Sequence, residues 1–227
     1  MATGFADQGY ADGVSYPNPF RPWTRPTDWL ALTDPTGGQE KIVILAAVQP
    51  SDSYLAFTIS GAYTVDWGDG AGTVDFAAGV KASKVLSWSS YSSGTLTTRG
   101  YRQAIITITP QAGQQLTSLN FSTAHASPPS SAYSTTILDM VVSAPNCQLF
   151  ALGTNGTAQT HRMIERFRWV GTNLVVAWDY VFNLCSSLRT FAATNGQGYD
   201  IWMGSAITAG SAFQNMSSLE VGPALYT

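Results

Sequence analysis

Short runs of β-branched and aromatic residues, bounded by turn-forming residues, constrain the fold of this 227-residue chain more than any other feature. The clearest run is AIITIT at residues 104–109, and similar runs lie at residues 42–45 and 54–59. Serine and threonine occupy 23 and 25 positions beside 21 glycines, a composition that favours strands and turns over helices. The sequence therefore predicts a mainly β protein.

Residues 1–38 differ from the rest of the chain and predict an extended arm. Their prolines are Pro17, Pro19, Pro22, Pro26 and Pro35. Because proline fixes φ and disfavours a helical conformation in the preceding residue, this segment is expected to be extended. Phe20, Trp23 and Trp29 lie in this arm and need a surface to cover them. They either pack on the core of this chain or lie across a neighbouring subunit as subunit contacts.

A tight turn is predicted where the sequence reads DWGDG. Glycine accepts positive φ, and an aspartate side chain accepts hydrogen bonds from nearby backbone amides. A calcium loop would need ligands at alternate positions of a longer segment, and only Asp75 lies nearby as a third carboxylate, so no metal site is predicted. The residues of this predicted structural turn are Asp66, Trp67, Gly68, Asp69 and Gly70.

This region resembles the polycystic kidney disease (PKD) domain family. YTVDWGDG at residues 63–70 precedes GYRQAIITIT at residues 100–109, as a strand ending in W-x-F-G-D-G precedes G-x-Y and a final strand in that family. The histidine–tyrosine pair that usually precedes the last hairpin is absent, and residues 81–86 occupy that region. The resemblance implies an immunoglobulin-like β-sandwich, which we place at residues 39–112, of the kind used as a spacer or adhesive module.

Apolar pairs spaced three residues apart recur in the second half of the chain. Their leading residues are Leu116, Leu138, Ile164, Leu188 and Leu219, at spacings of 22, 26, 24 and 31. FNLCSSL at residues 182–188 and FQNMSSL at residues 213–219 share four of seven positions and resemble an element of surface-antigen-type leucine-rich repeats. This resemblance implies a short, irregular, leucine-rich-repeat-like β-solenoid over residues 113–227, whose units stack on one another.

Two features of this second half predict subunit contacts. No polar capping element follows the last unit, so another copy or another protein is expected to cover that end of the stack. The residues expected at that contact are Leu219, Val221, Leu225 and Tyr226. In the basic segment at residues 161–169, a strand conformation places Arg166 and Arg168 on one face, which is either solvated or meets acidic groups of a neighbour.

The sequence shows no arrangement that is typical of catalysis. His125 and His161 are isolated, and no serine lies in a G-x-S-x-G elbow. Cys147 and Cys185 lack the spacing of a zinc site or a disulfide framework and are expected to be buried thiols. We therefore predict a non-enzymatic protein that needs no cofactor.

Charge and hydropathy also restrict the partners. Eleven basic and fourteen acidic residues give a net charge of −3 with no basic run, which argues against nucleic acid as a partner. The longest apolar stretch, residues 42–48, is far shorter than the about 20 residues that a membrane span needs. The opening MATGFADQGYADG has neither a basic residue nor an apolar run, so neither a signal peptide nor membrane insertion is expected.

An arm, a PKD-like sandwich and a β-repeat together resemble the virion structural proteins of tailed bacteriophages, which are made in the host cytoplasm and need no signal peptide. The resemblance implies a head decoration, fibre or tail appendage, located in the virion, that forms homo-oligomers and contacts other virion proteins. The alternative is a carbohydrate-binding adhesin or receptor-binding module. In it, Trp88 and Tyr91 of the serine-rich loop at residues 87–94 would contact a surface glycan, which requires both rings to be exposed. A small secreted hydrolase is a third interpretation, and it would need a cleft that holds His125 or His161 beside a carboxylate.

Overall fold

The computed structural model describes residues 23–36, 38–126, 136–153, 161–170, 174–176, 181–194, 201–203, 216–220 and 225–226. These residues confirm the prediction of a mainly β protein, since their only helices are the short 3-10 turns Trp88–Ser90 and Ser93–Thr95. The strands are β1 (Lys41–Val48), β2 (Ser53–Ser60), β3 (Tyr63–Asp66), β4 (Thr73–Phe76), β5 (Lys81–Leu86), β6 (Arg102–Pro110), β7 (Ser118–Asn120), β8 (Ile137–Ser143), β9 (Leu149–Ala151), β10 (Arg166–Val170), β11 (Leu174–Val176), β12 (Thr190–Thr194), β13 (Ile201–Met203) and β14 (Leu225–Tyr226). Within the described residues, no helical segment has the length and apolar character that crossing a bilayer requires.

The main sheet has seven strands in the order β12-β10-β8-β1-β6-β3-β4. Its β4–β3–β6–β1–β8 part is antiparallel, whereas β8, β10 and β12 are parallel to one another. The two parts meet where β1 pairs with β8, with Ile42 opposite Val142 and Ile44 opposite Met140. Strands from the predicted segments 39–112 and 113–227 therefore belong to one continuous sheet.

A second sheet packs against the main sheet, with four strands in the order β5-β2-β7-β9 and a parallel pairing of β7 with β9. Strands β11, β13 and β14 form a third, parallel sheet. The core between the first two sheets includes Ile44 of β1, Phe57 of β2, Phe150 of β9 and Phe167 of β10. One hydrophobic core thus extends through both halves of the chain.

Strand β1 is apolar on both of its faces. Residues 42–48 are all buried, although alternation along a strand normally places one face in solvent. Ile42 and Ile44 point into the core between the sheets, whereas Leu45 and Ala47 pack in a separate cluster on the opposite face, which we call the outer face of the main sheet. Another part of the chain must therefore cover the outer face.

The parallel part of the main sheet carries a repeating backbone hydrogen bond, and we call this part, from Leu138 to Glu220, the parallel ladder and its successive strands and turns the rungs. Glu165 N–H donates to Leu138 O over 2.8 Å, Arg189 N–H to Glu165 O over 2.9 Å, and Glu220 N–H to Arg189 O over 2.8 Å. The steps from 165 to 189 and from 189 to 220 equal the last two spacings of the predicted apolar repeat. The step from 138 to 165 is one position longer than the predicted spacing from Leu138 to Ile164. Leu138 packs on the outer face of the sheet, and Met140 is the residue of β8 that lies opposite Phe167.

The first member of the predicted repeat lies elsewhere. Leu119 belongs to β7, which pairs with β2 and β9 in the second sheet. Leu116, which precedes β7, is fully buried, and its backbone N–H donates to the Glu40 carboxylate over 2.7 Å. The three-residue apolar spacing at this pair therefore reflects burial in the core and not a place in the parallel ladder.

Candidate functional site

Residues 23–36, which we call the strap, cover the outer face of the main sheet. Trp29 is only 4% exposed and packs with Leu45, Ala47, Tyr101 and Leu138. Half-buried side chains around this cluster are Trp23, Leu30, Leu32, Ile105 and Met163. Trp23 and Trp29 therefore pack on their own chain, the first of the two arrangements expected for the arm. Phe20 lies outside the described residues.

Polar contacts hold the middle of the strap to the N-terminal part of the fold. Trp29 Nε1–H donates to the Tyr101 hydroxyl over 3.0 Å, and Leu30 N–H donates to Gln103 Oε1 over 2.8 Å. The Asp28 carboxylate accepts from both the backbone N–H and the hydroxyl of Thr98, each at 2.8 Å. These bonds from Thr98 lower the pKa of Asp28.

The two ends of the strap contact the parallel ladder. Trp23 Nε1–H donates to Glu165 Oε2 over 2.8 Å, and Trp23 N–H donates to Glu220 Oε2 over 2.6 Å. Near the other end, Asp34 pairs with Arg168 on β10. The strap therefore connects the segment around Tyr101 with the successive rungs of the ladder.

Asp139 of β8 is the centre of a charge cluster beneath the strap. Its side chain is fully buried, and Arg25 Nε of the strap lies 2.9 Å from Oδ2. Arg166 Nη1 lies 3.9 Å from Oδ2 and Arg168 Nη2 lies 3.9 Å from Oδ1, so both arginines form ion pairs at longer range. Burial is the main cause that lowers the pKa of Arg166, and the positive charge of Arg168 lowers it further. Arg166 and Arg168 thus meet acidic groups of their own chain.

Glutamates at equivalent ladder positions complete this surface. Glu165 accepts from the guanidinium of Arg99, and this hydrogen bond is the main cause that raises the pKa of Arg99. Glu220 pairs with Arg189 over 2.9 Å. Because Trp23 contacts both glutamates, the start of the strap bridges two rungs that lie on either side of Arg189.

The predicted structural turn uses its own carboxylates. Asp66 Oδ1 accepts from Gly68 N–H over 2.9 Å, and Asp69 Oδ1 accepts from Ala71 N–H over 3.1 Å. Gly68 and Gly70 have φ values of +71° and +76°, and a Cβ on Gly68 would overlap the carbonyl oxygen of Ile105. Trp67 is buried in the core. In the described part of the chain, no three His, Cys, Asp or Glu side chains are placed to hold a metal ion.

Asp69 also joins the two packed sheets. Lys84 Nζ of β5 lies 2.8 Å from Asp69 Oδ2, and the hydrogen bond from Lys84 is the main cause that lowers the pKa of Asp69. This carboxylate therefore has a structural partner on each of its oxygens.

The serine-rich loop does not present the expected aromatic surface. Tyr91 is only 4% exposed, and its hydroxyl donates to Trp67 O over 3.2 Å. Trp88 is half-buried, with the guanidinium of Arg102 at 4.3 Å from its ring centroid. Tyr91 therefore lacks the exposed ring that the glycan interpretation requires, because the core and not the solvent receives this ring.

A groove of about 440 Å³ lies beside this loop. Three of its polar lining side chains have partners within the protein. Ser92 Oγ accepts from Gly94 N–H over 3.1 Å, and Thr95 Oγ1 donates to Ser92 O over 2.8 Å. Gln103 Nε2 donates to both Asp28 O and Thr95 O, each over 2.9 Å. The groove therefore offers few free hydrogen-bonding groups to a ligand.

The histidines and cysteines occupy structural environments. His161 is fully buried, with Nε2 at 2.8 Å from Phe121 O, and the ring of His125 lies 5.2 Å from the ring of Tyr54. Cys147 and Cys185 are free, buried thiols. Burial raises the pKa of Cys147 to about 12 and raises the pKa of Cys185 further.

The residues predicted at the end of the repeat are only partly described. Leu219 is half-buried and packs against the main core. Leu225 and Tyr226 form β14, which pairs with β13 in the third sheet. Val221 lies outside the described residues.

Sequence reasoning missed the carboxylates that hold the strap. Asp139 is the only charged residue in ILDMVVS, the sequence of β8, and a lone carboxylate in a buried strand is the signal that would have found it. Glu165 and Asp34 carry no comparable signal, because their partners are far away in the sequence.

Comparisons with protein-family models, with curated proteins and with solved structures give no match for this chain.

Proposed function

We propose that this chain is a non-enzymatic structural component of a phage virion that docks through its N-terminal arm and assembles with copies of itself and with other virion proteins. The observation that carries the proposal is the strap on the continuous main sheet. It fixes the PKD-like half and the ladder to each other through a buried aromatic cluster and a set of ion pairs. A subunit that transmits mechanical load needs this kind of rigid connection.

The finer architecture that we propose is a PKD-like sandwich followed by a leucine-rich-repeat-like solenoid. Antiparallel strands β1–β6 in two packed sheets support the first module. The recurring ladder bond from Leu138 to Glu220 supports the second. On this proposal the sandwich is a spacer and the ladder is a surface on which further subunits stack.

Exposed strand edges supply the surfaces for assembly. Strand β4 is an edge of the main sheet, and Val74 within it is 45% exposed. Strand β5 is the corresponding edge of the second sheet, with Val85 also exposed. Edge strands with apolar side chains are surfaces on which other chains pair. We assign these edges, together with residues 1–22 of the arm, to contacts with neighbouring virion subunits.

Light scattering on the purified full chain, compared with a version that lacks residues 1–22, tests this function. The shorter version keeps the strap, so its main sheet stays covered. We expect the full chain to form a defined oligomer, visible as uniform particles by electron microscopy, and the shorter version to have a smaller mass. If both versions are compact monomers over the whole concentration range, the assembly function is wrong.

A further inference from the structure

We propose that the guanidinium of Arg166 and the hydroxyl of Thr190 bind a small oxyanion of the phosphate or sulfate class on the outer face of the main sheet. The site lies where β10 pairs with β12. It belongs to a single subunit, so the inference does not depend on the assembly function.

Arg166 is the arginine that remains after its neighbours on this surface have paired. Four other arginines of the strap, the ladder and the adjacent loop each have one carboxylate as their close partner. The pairs are Arg25 with Asp139, Arg168 with Asp34, Arg99 with Glu165, and Arg189 with Glu220. In the described part of the chain, Arg166 has no carboxylate of its own.

The nearest carboxylate does not satisfy Arg166. Nη1 of Arg166 lies 3.9 Å from Asp139 Oδ2, which is longer than a hydrogen bond. That oxygen already accepts from Arg25 Nε over 2.9 Å. Among the described residues, the guanidinium of Arg166 donates no hydrogen bond, although its side chain is only 30% exposed. A bound anion would supply the acceptors that the protein does not.

The surrounding charges also favour an anion at this position. Burial is the main cause that lowers the pKa of Arg166, and the cations Arg168 and Arg25 lower it further. Asp139 and Asp34 act in the opposite direction. Two positive and two negative neighbours balance one another, so the charge of Arg166 itself remains uncompensated. An anion beside this guanidinium would offset the cost of its burial.

Thr190 supplies a second donor next to Arg166. The two residues lie opposite each other in the parallel pair of β10 and β12, so their side chains share the outer face with Cα atoms about 4.8 Å apart. Thr190 is half-buried, and its hydroxyl makes no hydrogen bond to any residue that the structure describes. A guanidinium fork beside a hydroxyl is a donor set that suits an oxyanion.

The strap limits the size of the ligand. Arg25 uses Nε on Asp139, and its other two nitrogens donate to Trp29 O and Leu30 O, so it contributes charge but no free donor. The ligand therefore has to bind between the strap and β12, where Arg166 is only partly exposed. A tetrahedral oxyanion fits this position, because it is small and offers acceptors in several directions at once.

Titration of the full chain with inorganic phosphate tests the site. Sodium phosphate, sodium sulfate and sodium acetate are each exchanged for sodium chloride at a constant ionic strength of about 0.15 M, so that screening stays the same. We expect phosphate and sulfate to raise the thermal unfolding temperature in a saturable way, because the folded state alone has the site. Acetate should have a much smaller effect.

Three variants assign the binding to these residues. Isothermal titration calorimetry should show that Arg166→Gln weakens phosphate binding about tenfold or more, the effect expected when a hydrogen bond to a charged group is lost. Thr190→Val, which keeps the shape of the side chain, should weaken it several-fold. Arg162→Gln is the matched control, since Arg162 is exposed and lies four positions earlier, and it should leave the affinity unchanged.

Several results would overturn the site. Phosphate that raises the unfolding temperature no more than chloride does, or that binds Arg166→Gln as tightly as the unsubstituted chain, would exclude it. Acetate that binds more tightly than phosphate would show that Arg166 receives a carboxylate, such as a side chain of another protein, and would also overturn the assignment. If Arg166→Gln does not fold in chloride, by circular dichroism, the comparison of Thr190→Val with Arg162→Gln decides the question.

Discussion

At the scale of single residues, Asp139 decides whether the charge cluster under the strap is stable. Three guanidinium groups surround one fully buried carboxylate, and Arg25 makes the shortest contact with it. A buried ion pair adds little net stability, since desolvation offsets much of the attraction. Removal of the negative member is different, because it leaves partly buried cations without their counter-charge.

We therefore predict that Asp139→Asn, which keeps the size of the side chain, lowers the free energy of unfolding by about 3–5 kcal/mol. Urea denaturation measures the change. Asp75→Asn is the matched control, since Asp75 is exposed and accepts only the Thr64 hydroxyl, and it should change the free energy by no more than about 0.5 kcal/mol. Equal effects of the two substitutions would show that Asp139 does not hold the cluster together.

Tyr63 makes stability sensitive to alkaline pH. Its hydroxyl donates to Val80 O over 2.6 Å and accepts from Ala82 N–H over 3.1 Å, so it joins β3 of the main sheet to β5 of the second sheet. Burial raises the pKa of Tyr63 to about 12, whereas an unfolded tyrosine titrates near about 10. Burial also raises the pKa of Tyr91 and of Tyr101.

The sign of the effect follows from this order of pKa values. Below pH of about 10 the phenol is protonated in both states and its stabilisation is complete. Between about 10 and 12 the unfolded chain releases the proton first, so the free energy of unfolding falls as pH rises. Urea midpoints at about pH 8 and about pH 11 should show this loss, and Tyr63→Phe should show a smaller loss. An equal pH dependence in Tyr63→Phe would exclude Tyr63 as a source.

At the scale of elements, the strap buries the outer face of the main sheet, as a packed strand would. Its removal uncovers Leu45, Ala47 and Leu138, which are otherwise fully buried. Deletion of residues 1–36 should therefore lower the thermal unfolding temperature and increase the fluorescence of a hydrophobic dye. Deletion of residues 1–22 keeps the strap and should leave the dye fluorescence unchanged. The same dye signal from both truncations would mean that the strap does not cover this face.

Regular elements could be predicted from the sequence because their signals are local. The runs at residues 42–45, 54–59 and 104–109 lie within β1, β2 and β6, and the last two spacings of the apolar repeat recur in the ladder bonds. The strap carries no such signal, since its conformation depends on partners that are distant in sequence, such as Tyr101 and Asp139. β1 did carry a hint: an apolar run without polar alternation indicates burial on both faces.

The pairing of β1 with β8 could not be predicted for the same reason. The two strands are almost wholly apolar, and the single charge of β8, Asp139, does not select one partner strand or one register. Their register even shifts between Leu45 and Ala46, an irregularity that only the folded neighbours determine. The charge cluster of the candidate site could not be predicted either, because Arg25, Asp139 and Arg168 become neighbours only after β8 has paired with β1 and β10.

At the scale of the whole molecule, the continuous main sheet makes the two halves depend on each other. β1 is a central strand with β6 on one side and β8 on the other, so separation of residues 39–112 from the rest would expose one full edge of β1. It would also open the core that Phe57 and Phe150 share through Phe121. Exposed edges and apolar faces favour aggregation over independent folding.

The full chain should consequently unfold in one cooperative transition, although its sequence resembles two modules. Far-ultraviolet circular dichroism and tryptophan fluorescence should give coincident curves, because Trp67 lies in the first half and Trp169 in the second half of one core. A fragment of residues 39–112 should be insoluble or lack a cooperative transition. Two separate transitions, or a fragment that melts like the intact protein, would show that the shared sheet does not couple the halves. The strap would then connect two independent modules, and its own removal would separate the transitions still further.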